Sequence, residues 1–331
     1  MTPAPVPLII GHRGASGYRP EHTRSAYELA FELGADAVEP DIVATRDGVL
    51  VLRHENEISG TTDVAAYPEF ADRRTTKVID GVTLTGWFTE DFTWDELTTL
   101  RATERLASLR PASAGFNGRE PILRLRDLFG IIDDASAVAG RQKIMVAELK
   151  HATYFESIGL PLDELFASEV RQWASADNLI VECFEQTVLS KVRARGIPGR
   201  LVFLAEASGS PPDQVARFGR AALPYSAHLT NAGLARLATE VDGVSVDKKL
   251  LLRDARGELT TTDLVDRAHA AGLEVFTWTL RPENKFLAKS LRRGSSARAH
   301  GDWLTEFRLI IGTGVDGVFA DQPDLVREAL A

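Results

Sequence analysis

Pro7-Leu8-Ile9-Ile10-Gly11-His12-Arg13-Gly14 is a short apolar run that stops at ionisable groups, and an amphipathic segment, Arg24–Leu33, follows it. A brief β-branched run feeding a longer helix is the unit from which parallel sheets are built. The same alternation returns with strand-like runs at Ala37–Ile42, Lys143–Leu149, Leu179–Phe184, Arg200–Ala205, Asp242–Val246, Leu273–Thr279 and Val315–Ala320. Helical segments Leu160–Ser175, Asn231–Ala238, Thr262–Ala271 and Trp303–Gly312 lie between them. Eight strands, each followed by a helix, predict an α/β fold closed into a (β/α)₈ TIM barrel rather than a doubly wound sheet of five or six strands.

The rhythm fails at Glu55–Pro121, a Thr-, Asp-, Glu- and Arg-rich stretch between the second and third strands that is too long for a simple loop. It is expected to be a small insertion subdomain at the C-terminal face of one barrel domain spanning residues 1–331, with a helix at Trp94–Arg101. A second irregular patch, Arg292–Gly301, reads as a solvated loop.

Composition excludes several function classes. The 47 acidic against 38 basic residues give a net charge of -9, so the surface as a whole repels nucleic acid and anionic lipid. Any phosphate site must then be a local basic cluster. The single cysteine, Cys183, rules out an internal disulfide and a multi-cysteine metal site. It lies in the apolar run Leu179–Phe184 and reads as a buried structural thiol. No apolar run approaches the roughly 20 residues of a membrane-spanning helix, and residues 1–7 do not read as a signal peptide. These features point to a cytoplasmic protein without stable membrane insertion.

Barrel enzymes keep their chemistry at the C-terminal strand ends. After the first strand come His12 and Arg13, the latter a guanidinium fork suited to phosphate oxygens, with Gly14 and Gly17 allowing close backbone approach. At the end of the second stand Glu39 and Asp41; residues two apart in a strand face the same way, so both carboxylates are expected in the mouth. Two like charges side by side require a cation or a proton between them, and oxygen ligands suit Mg²⁺ or Ca²⁺ better than zinc. The alternative is pairing of each with an arginine, against which stands Pro40, which removes a ladder donor from an interior strand. His54 ends a short returning strand after the turn Asp47-Gly48 and reads either as an exposed loop histidine or, paired with His12 (itself otherwise a structural strand-end residue), as the second of the acid and base that phosphodiester cleavage needs. Glu148 and Lys150 close the third strand as an inward pair: a third carboxylate ligand and a point charge for phosphate, or a salt bridge, or a Schiff-base lysine. Phe184 and Trp278 end later strands and are assigned to substrate shape, the alternative being plain core packing, and Asp321 ends the last.

Taken together, His12-Arg13-Gly14, Pro20-Glu21-His22-Thr23, Glu39-Pro40-Asp41, Asp47-Gly48, His54, Glu148-Leu149-Lys150 and the closing Gly314–Asp324 segment resemble the glycerophosphodiester phosphodiesterase family, from about Leu8 to Leu325. Phe88–Thr93 and Trp278–Phe286 are similar to its longer members, which carry an insertion after the second histidine. The resemblance implies a small-molecule glycerophosphodiester substrate, cleaved to glycerol 3-phosphate and an alcohol. It implies His12 and His54 as acid and base, and Glu39, Asp41 and Glu148 as ligands of one divalent cation, Mg²⁺ or Ca²⁺ with Mn²⁺ also suitable. Arg13 and Lys150 become phosphate contacts. The chain departs from the family pattern at His22, where asparagine is commoner, at Glu55, where aspartate is commoner, and at Glu120–Leu125, which lacks the usual Pro-Thr-Leu run. Rival readings are a sphingomyelinase D-like phospholipid-cleaving enzyme, a class I aldolase using Lys150, and a non-catalytic sugar-phosphate binder.

Overall fold

The computed structural model describes residues 6–255 and 258–331. Eight parallel strands close into a barrel: β1 Leu8–His12, β2 in two pieces Ala37–Glu39 and Asp41–Ala44, β3 Ile144–Leu149, β4 Leu179–Cys183, β5 Arg200–Ala205, β6 Gly243–Asp247, β7 Glu274–Leu280 and β8 Gly317–Ala320. Each strand pairs with its chain neighbour, and β8 pairs with β1 through Gly11↔Ala320 to complete the ring. All eight anticipated strands are present. Pro40 interrupts β2 without shifting its register, because Ala37↔Ile144 and Asp41↔Glu148 keep the same offset against β3. The missing proline donor is tolerated because the Pro40 carbonyl still accepts from the Glu148 N–H at 3.0 Å.

Strand alternation sorts the barrel interior into layers. Ile10, Ala37, Val146, Ile180, Val202, Phe276 and Phe319 form one buried apolar cluster, a plug across the lower barrel. Two residues further along the same strands stand His12, Glu39, Glu148, Glu182, Leu204, Trp278 and Asp321. Period-2 geometry therefore sets a largely polar floor directly on an oily plug. The larger core lies outside the ring, between the strands and the surrounding helices, and includes Tyr27, Phe155, Phe166 and Phe307. Among the described residues, no helix is long and apolar enough to cross a membrane.

After β2 the chain turns back as the strand Leu50–Leu52, antiparallel to Asp41–Ala44, and so returns His54 to the mouth. Residues 55–121 then form an antiparallel ribbon, Thr75–Ile79 with Val82–Gly86, and short helices. The helix expected at Trp94–Arg101 starts there, on a capping box between Thr93 and Glu96, but stops at Leu97. The hydroxyls of Thr98 and Thr99 donate to the Asp95 and Glu96 carbonyls at 2.6 and 2.7 Å, local bonds that compete with continuing the helix.

Gly14 holds the turn after β1 at φ +83°, and a Cβ there would meet the Ala26 carbonyl carbon at 2.5 Å. Backbone strain and overpacking each cost about 1–3 kcal/mol. Gly14→Ala is therefore expected to lower the unfolding free energy by about 3 kcal/mol in urea titrations; a loss under about 0.5 kcal/mol would show that the turn is not conformationally restricted.

Candidate active site

A cavity of about 670 Å³ opens at the C-terminal ends of the strands and is lined by His12, Arg13, Glu39, His54, Glu148 and Lys150, with Phe184 and Trp278 on its wall. Most of these arrive by strand parity; His54 comes by the returning strand and Arg13 by its left-handed backbone just after β1. Asp41 lies beneath the cavity surface, fully buried.

Glu39, Glu148 and Glu182 bring carboxylate oxygens within 4.8 Å of one another and form a group able to hold a metal ion. Burial pushes the Glu39 carboxyl well above its ordinary value, with Asp41 adding to the shift, and burial raises Glu182 in the same direction. Glu148 is pushed up to about 8, by burial and by Asp41 against the opposing Lys150. Glu182 Oε2 of this group, and Asp41 Oδ1 beside it, are buried oxygens without hydrogen-bond partners. Mutually repelling, incompletely satisfied carboxylates are the donor set that a hard divalent cation fits.

The acids are balanced by two buried cations. Arg13 takes a left-handed φ of +60°, which lets its N–H donate to Glu39 Oε2 at 2.7 Å while its guanidinium turns to Glu21 (3.0 Å) and Asp41 (3.1 Å). Lys150 sits 2.9 Å from Glu148 and 3.8 Å from Asp41, which together hold its ammonium more firmly protonated despite burial. Burial would raise Asp41, but Arg13, His54, Lys150 and the His22 hydrogen bond together keep it ionised, well below the usual carboxylate range. His22, at the position that departs from the family pattern, is fully buried and bridges Asp41 (2.9 Å) to the Tyr27 hydroxyl (2.7 Å). It anchors Asp41 from behind and does not line the cavity.

The two histidines have different supports. His12 Nδ1 lies 2.7 Å from Asp321 Oδ1. Burial would raise Asp321, but Arg281 and Arg110, each 2.6 Å from its other oxygen, keep it ionised. An ionised carboxylate only accepts, so the proton sits on Nδ1 and Nε2 is left bare. Burial, then Arg13, lowers His12 to about 3. His54 is lowered to about 4 by burial, Arg13 and Lys150. Its Nδ1 is 2.8 Å from Glu55 Oε1, near enough for an ion pair but not aligned as a hydrogen bond. The second Glu55 oxygen is 3.0 Å from His151 Nε2, and His151 Nδ1 is 2.6 Å from Asp80 at the ribbon turn. The extra methylene of Glu55, relative to the commoner aspartate, gives it reach to serve both histidines. His151 is raised to about 9 because its two carboxylates outweigh its burial.

Strand patterning singled out neither Glu182 nor the Asp321–His12 pairing. Glu182 was findable, since it lies on β4 two residues after the inward-facing Ile180 and two before Phe184, which follows the strand. The role of Asp321 follows only from closure of β8 against β1. Arg110, Asp80 and His151 carry no strand-periodic signal, because two lie in the insertion and His151 leaves β3 with φ +53°.

Fold and site together define a (β/α)₈-barrel enzyme with an acidic cluster and two imidazoles at one mouth. The chain matches the model of the glycerophosphoryl diester phosphodiesterase family over residues 12–325 and belongs to that family. It is similar to glycerophosphodiester phosphodiesterase GDPD6 of Arabidopsis thaliana, at 29% identity over 95% of this chain and 83% of the relative. It is also similar to the glycerophosphodiester phosphodiesterase of Treponema pallidum, at 24% identity over 96% and 90%. Among solved structures, an Oleispira antarctica phosphodiesterase in complex with the product sn-glycerol-3-phosphate shares the fold with a TM-score of 0.63 and 18% identity, over 98% of this chain and 97% of that one.

Glu148 at about 8 and His151 at about 9 both titrate above their ordinary values of 4.5 and 6.5. The folded, metal-free protein then holds more protons than the unfolded chain, so its stability is expected to fall as pH rises from about 7 to about 9. The slope is at most about 1.4 kcal/mol per pH unit for each proton released. Thermal melts across this window test it, with His151→Gln flattening the upper part; a stability that rises with pH would contradict these shifts.

Proposed function

We propose that this protein hydrolyses glycerophosphodiesters to glycerol 3-phosphate and an alcohol in a divalent-cation-dependent reaction, with His12 and His54 exchanging the protons. The observation that carries the reading is the convergence of both imidazoles, the acidic cluster, Arg13 and Lys150 on one cavity. The family match and the product-bound relative support the substrate class.

In this reading Glu39, Asp41 and Glu148 hold the cation, with Glu182 as a further oxygen donor, and the all-oxygen set favours Mg²⁺ or Ca²⁺, with Mn²⁺ also suitable. A cation there would supply charge neutralisation at the phosphate oxygens. Arg13 and Lys150 orient the phosphodiester, and Phe184 and Trp278 shape the space beside it. Both histidines are neutral in the ligand-free protein, chiefly through burial and the Arg13 charge. A bound phosphate offsets that charge and raises the proton affinity of both imidazoles, so that one can accept a proton from the attacking oxygen while the other donates to the departing alkoxide. Asp321 steadies His12 as it becomes an imidazolium, and Glu55 does so for His54. Residues 55–121 belong to the same functional unit, since Arg110 braces Asp321 and Asp80 braces His151. The aldolase reading is disfavoured because Glu148 and Asp41 hold Lys150 protonated, the opposite of what a Schiff-base nucleophile requires.

His12→Ala and His54→Ala are each expected to reduce kcat on glycerophosphocholine by about 10²–10⁴-fold, measured by coupled detection of glycerol 3-phosphate. Near-normal turnover in both variants would overturn the mechanism. Chelation should abolish activity and Mg²⁺, Ca²⁺ or Mn²⁺ restore it, whereas Glu182→Gln should weaken cation binding by about 10–100-fold in calorimetric titrations. Unchanged affinity would remove Glu182 from the ligand set.

A further inference from the structure

A second cavity of about 470 Å³ adjoins the first, and Trp278, Thr279 and Arg281 line both. Its wall carries Lys285, Lys289 and Arg292, all exposed, a local basic cluster on a chain of net charge -9. The other cations of this cavity are already matched. Lys248 is bound to Glu306 at 2.5 Å, Lys249 lies 3.3 Å from Asp247, and Arg281 lies 2.6 Å from Asp321. Lys285 and Lys289 enter no ion pair among the described residues, and the Arg292 Nε–H donates to the Leu287 carbonyl, leaving its terminal nitrogens without a carboxylate. Among the described residues the remaining acid on the wall is Asp254, which is itself engaged in an interaction. Arg292 opens the patch that the sequence alone presents as a solvated loop; the fold sets it at the rim of this cavity.

A second observation on the shared wall points the same way. The Trp278 indole N–H is buried and has no hydrogen-bond partner. A buried donor is costly to leave unmade, and an oxygen-rich group lying across the boundary would satisfy it. Arg281 stacks on Phe286, 4.7 Å from the ring centroid, which fixes its guanidinium on the same partition.

We infer that this basic cavity is a subsite for a second anionic group on the substrate, so that the preferred diesters carry a further phosphate on the alcohol moiety. The inference rests on the phosphodiesterase reading and adds the charge of the alcohol to it. The scissile phosphate sits over Arg13 and Lys150, the alcohol passes Trp278 and Arg281, and its phosphate reaches Lys285, Lys289 and Arg292. Ammonium and guanidinium groups around an open cavity suit a mobile phosphate better than a neutral sugar or a quaternary amine.

A matched substrate pair tests this: glycerophosphoinositol and glycerophosphoinositol 4-phosphate, which differ only in the second phosphate. The full-length protein with its divalent cation is expected to show about tenfold higher kcat/KM for the phosphorylated diester, mostly through KM, which corresponds to about 1.4 kcal/mol. The exposed double variant Lys285→Glu/Lys289→Glu should erase that preference while leaving turnover of glycerophosphoinositol within about twofold, and Lys285→Ala/Lys289→Ala should give a smaller loss. Equal kcat/KM for the two diesters in the natural protein, or a preference that survives the double reversal, overturns the subsite. If neither diester nor glycerophosphocholine is cleaved, the functional reading fails, and calorimetric binding of inositol 1,4-bisphosphate against inositol 1-phosphate decides the subsite by the same ratio and the same variants. Binding confined to vesicles of phosphatidylcholine with phosphatidylinositol 4-phosphate, with none to the soluble compounds, also overturns it.

Discussion

Four carboxylates buried at one end of a barrel repel each other, and Arg13 and Lys150 are the charges that make the arrangement tolerable. Each cation touches Asp41 and one further acid, Glu21 for Arg13 and Glu148 for Lys150. The balance is incomplete, because Glu39, Glu148 and Glu182 still titrate upward. A buried charge left unmatched costs several kcal/mol, so such a cluster persists where a function uses its appetite for positive charge. The same two cations depress His54, and Arg13 depresses His12, so one electrostatic balance governs both the acids and the imidazoles.

The apolar plug beneath is what makes that balance sharp. Ile10, Val146, Ile180, Val202, Phe276 and Phe319 seal the barrel directly below the polar floor, which keeps water from screening the charges from one side. Strand alternation enforces the transition within one side-chain layer. No additional structure is needed to place Glu148 above Val146 or His12 above Ile10.

Around the floor, anchoring passes outward to elements that are not part of the ring. Asp321 is clamped by Arg110 from the insertion and by Arg281 after β7, and it fixes the His12 tautomer. On the other side, Glu55 and His151 tie His54 to Asp80 at the turn of the Thr75–Gly86 ribbon. Asp80 and His151 both hold left-handed backbone, at φ +48° and +53°, conformations costly for side chains with a Cβ and retained where surrounding contacts demand them. The insertion thus supplies bracing to both imidazoles.

Much of this was legible in the sequence because strand geometry is local. Short apolar, β-branched runs, each followed by an amphipathic segment, mark the eight strands, and strand parity directs Glu39, Asp41, Glu148 and Lys150 inward at the ends of the second and third. Helix ends were less legible, as at Thr98 and Thr99, where side-chain bonds to the backbone stop the segment Trp94–Arg101 early. What the chain alone could not decide are the partnerships made by closure and by the path of the insertion. Asp321 meets His12 only because β8 returns to β1 across 309 residues of sequence, and Asp80 meets His151 across 71. Such contacts depend on the summed geometry of the whole ring, so no spacing in the sequence encodes them, whereas the inward direction of a side chain is fixed by its own strand.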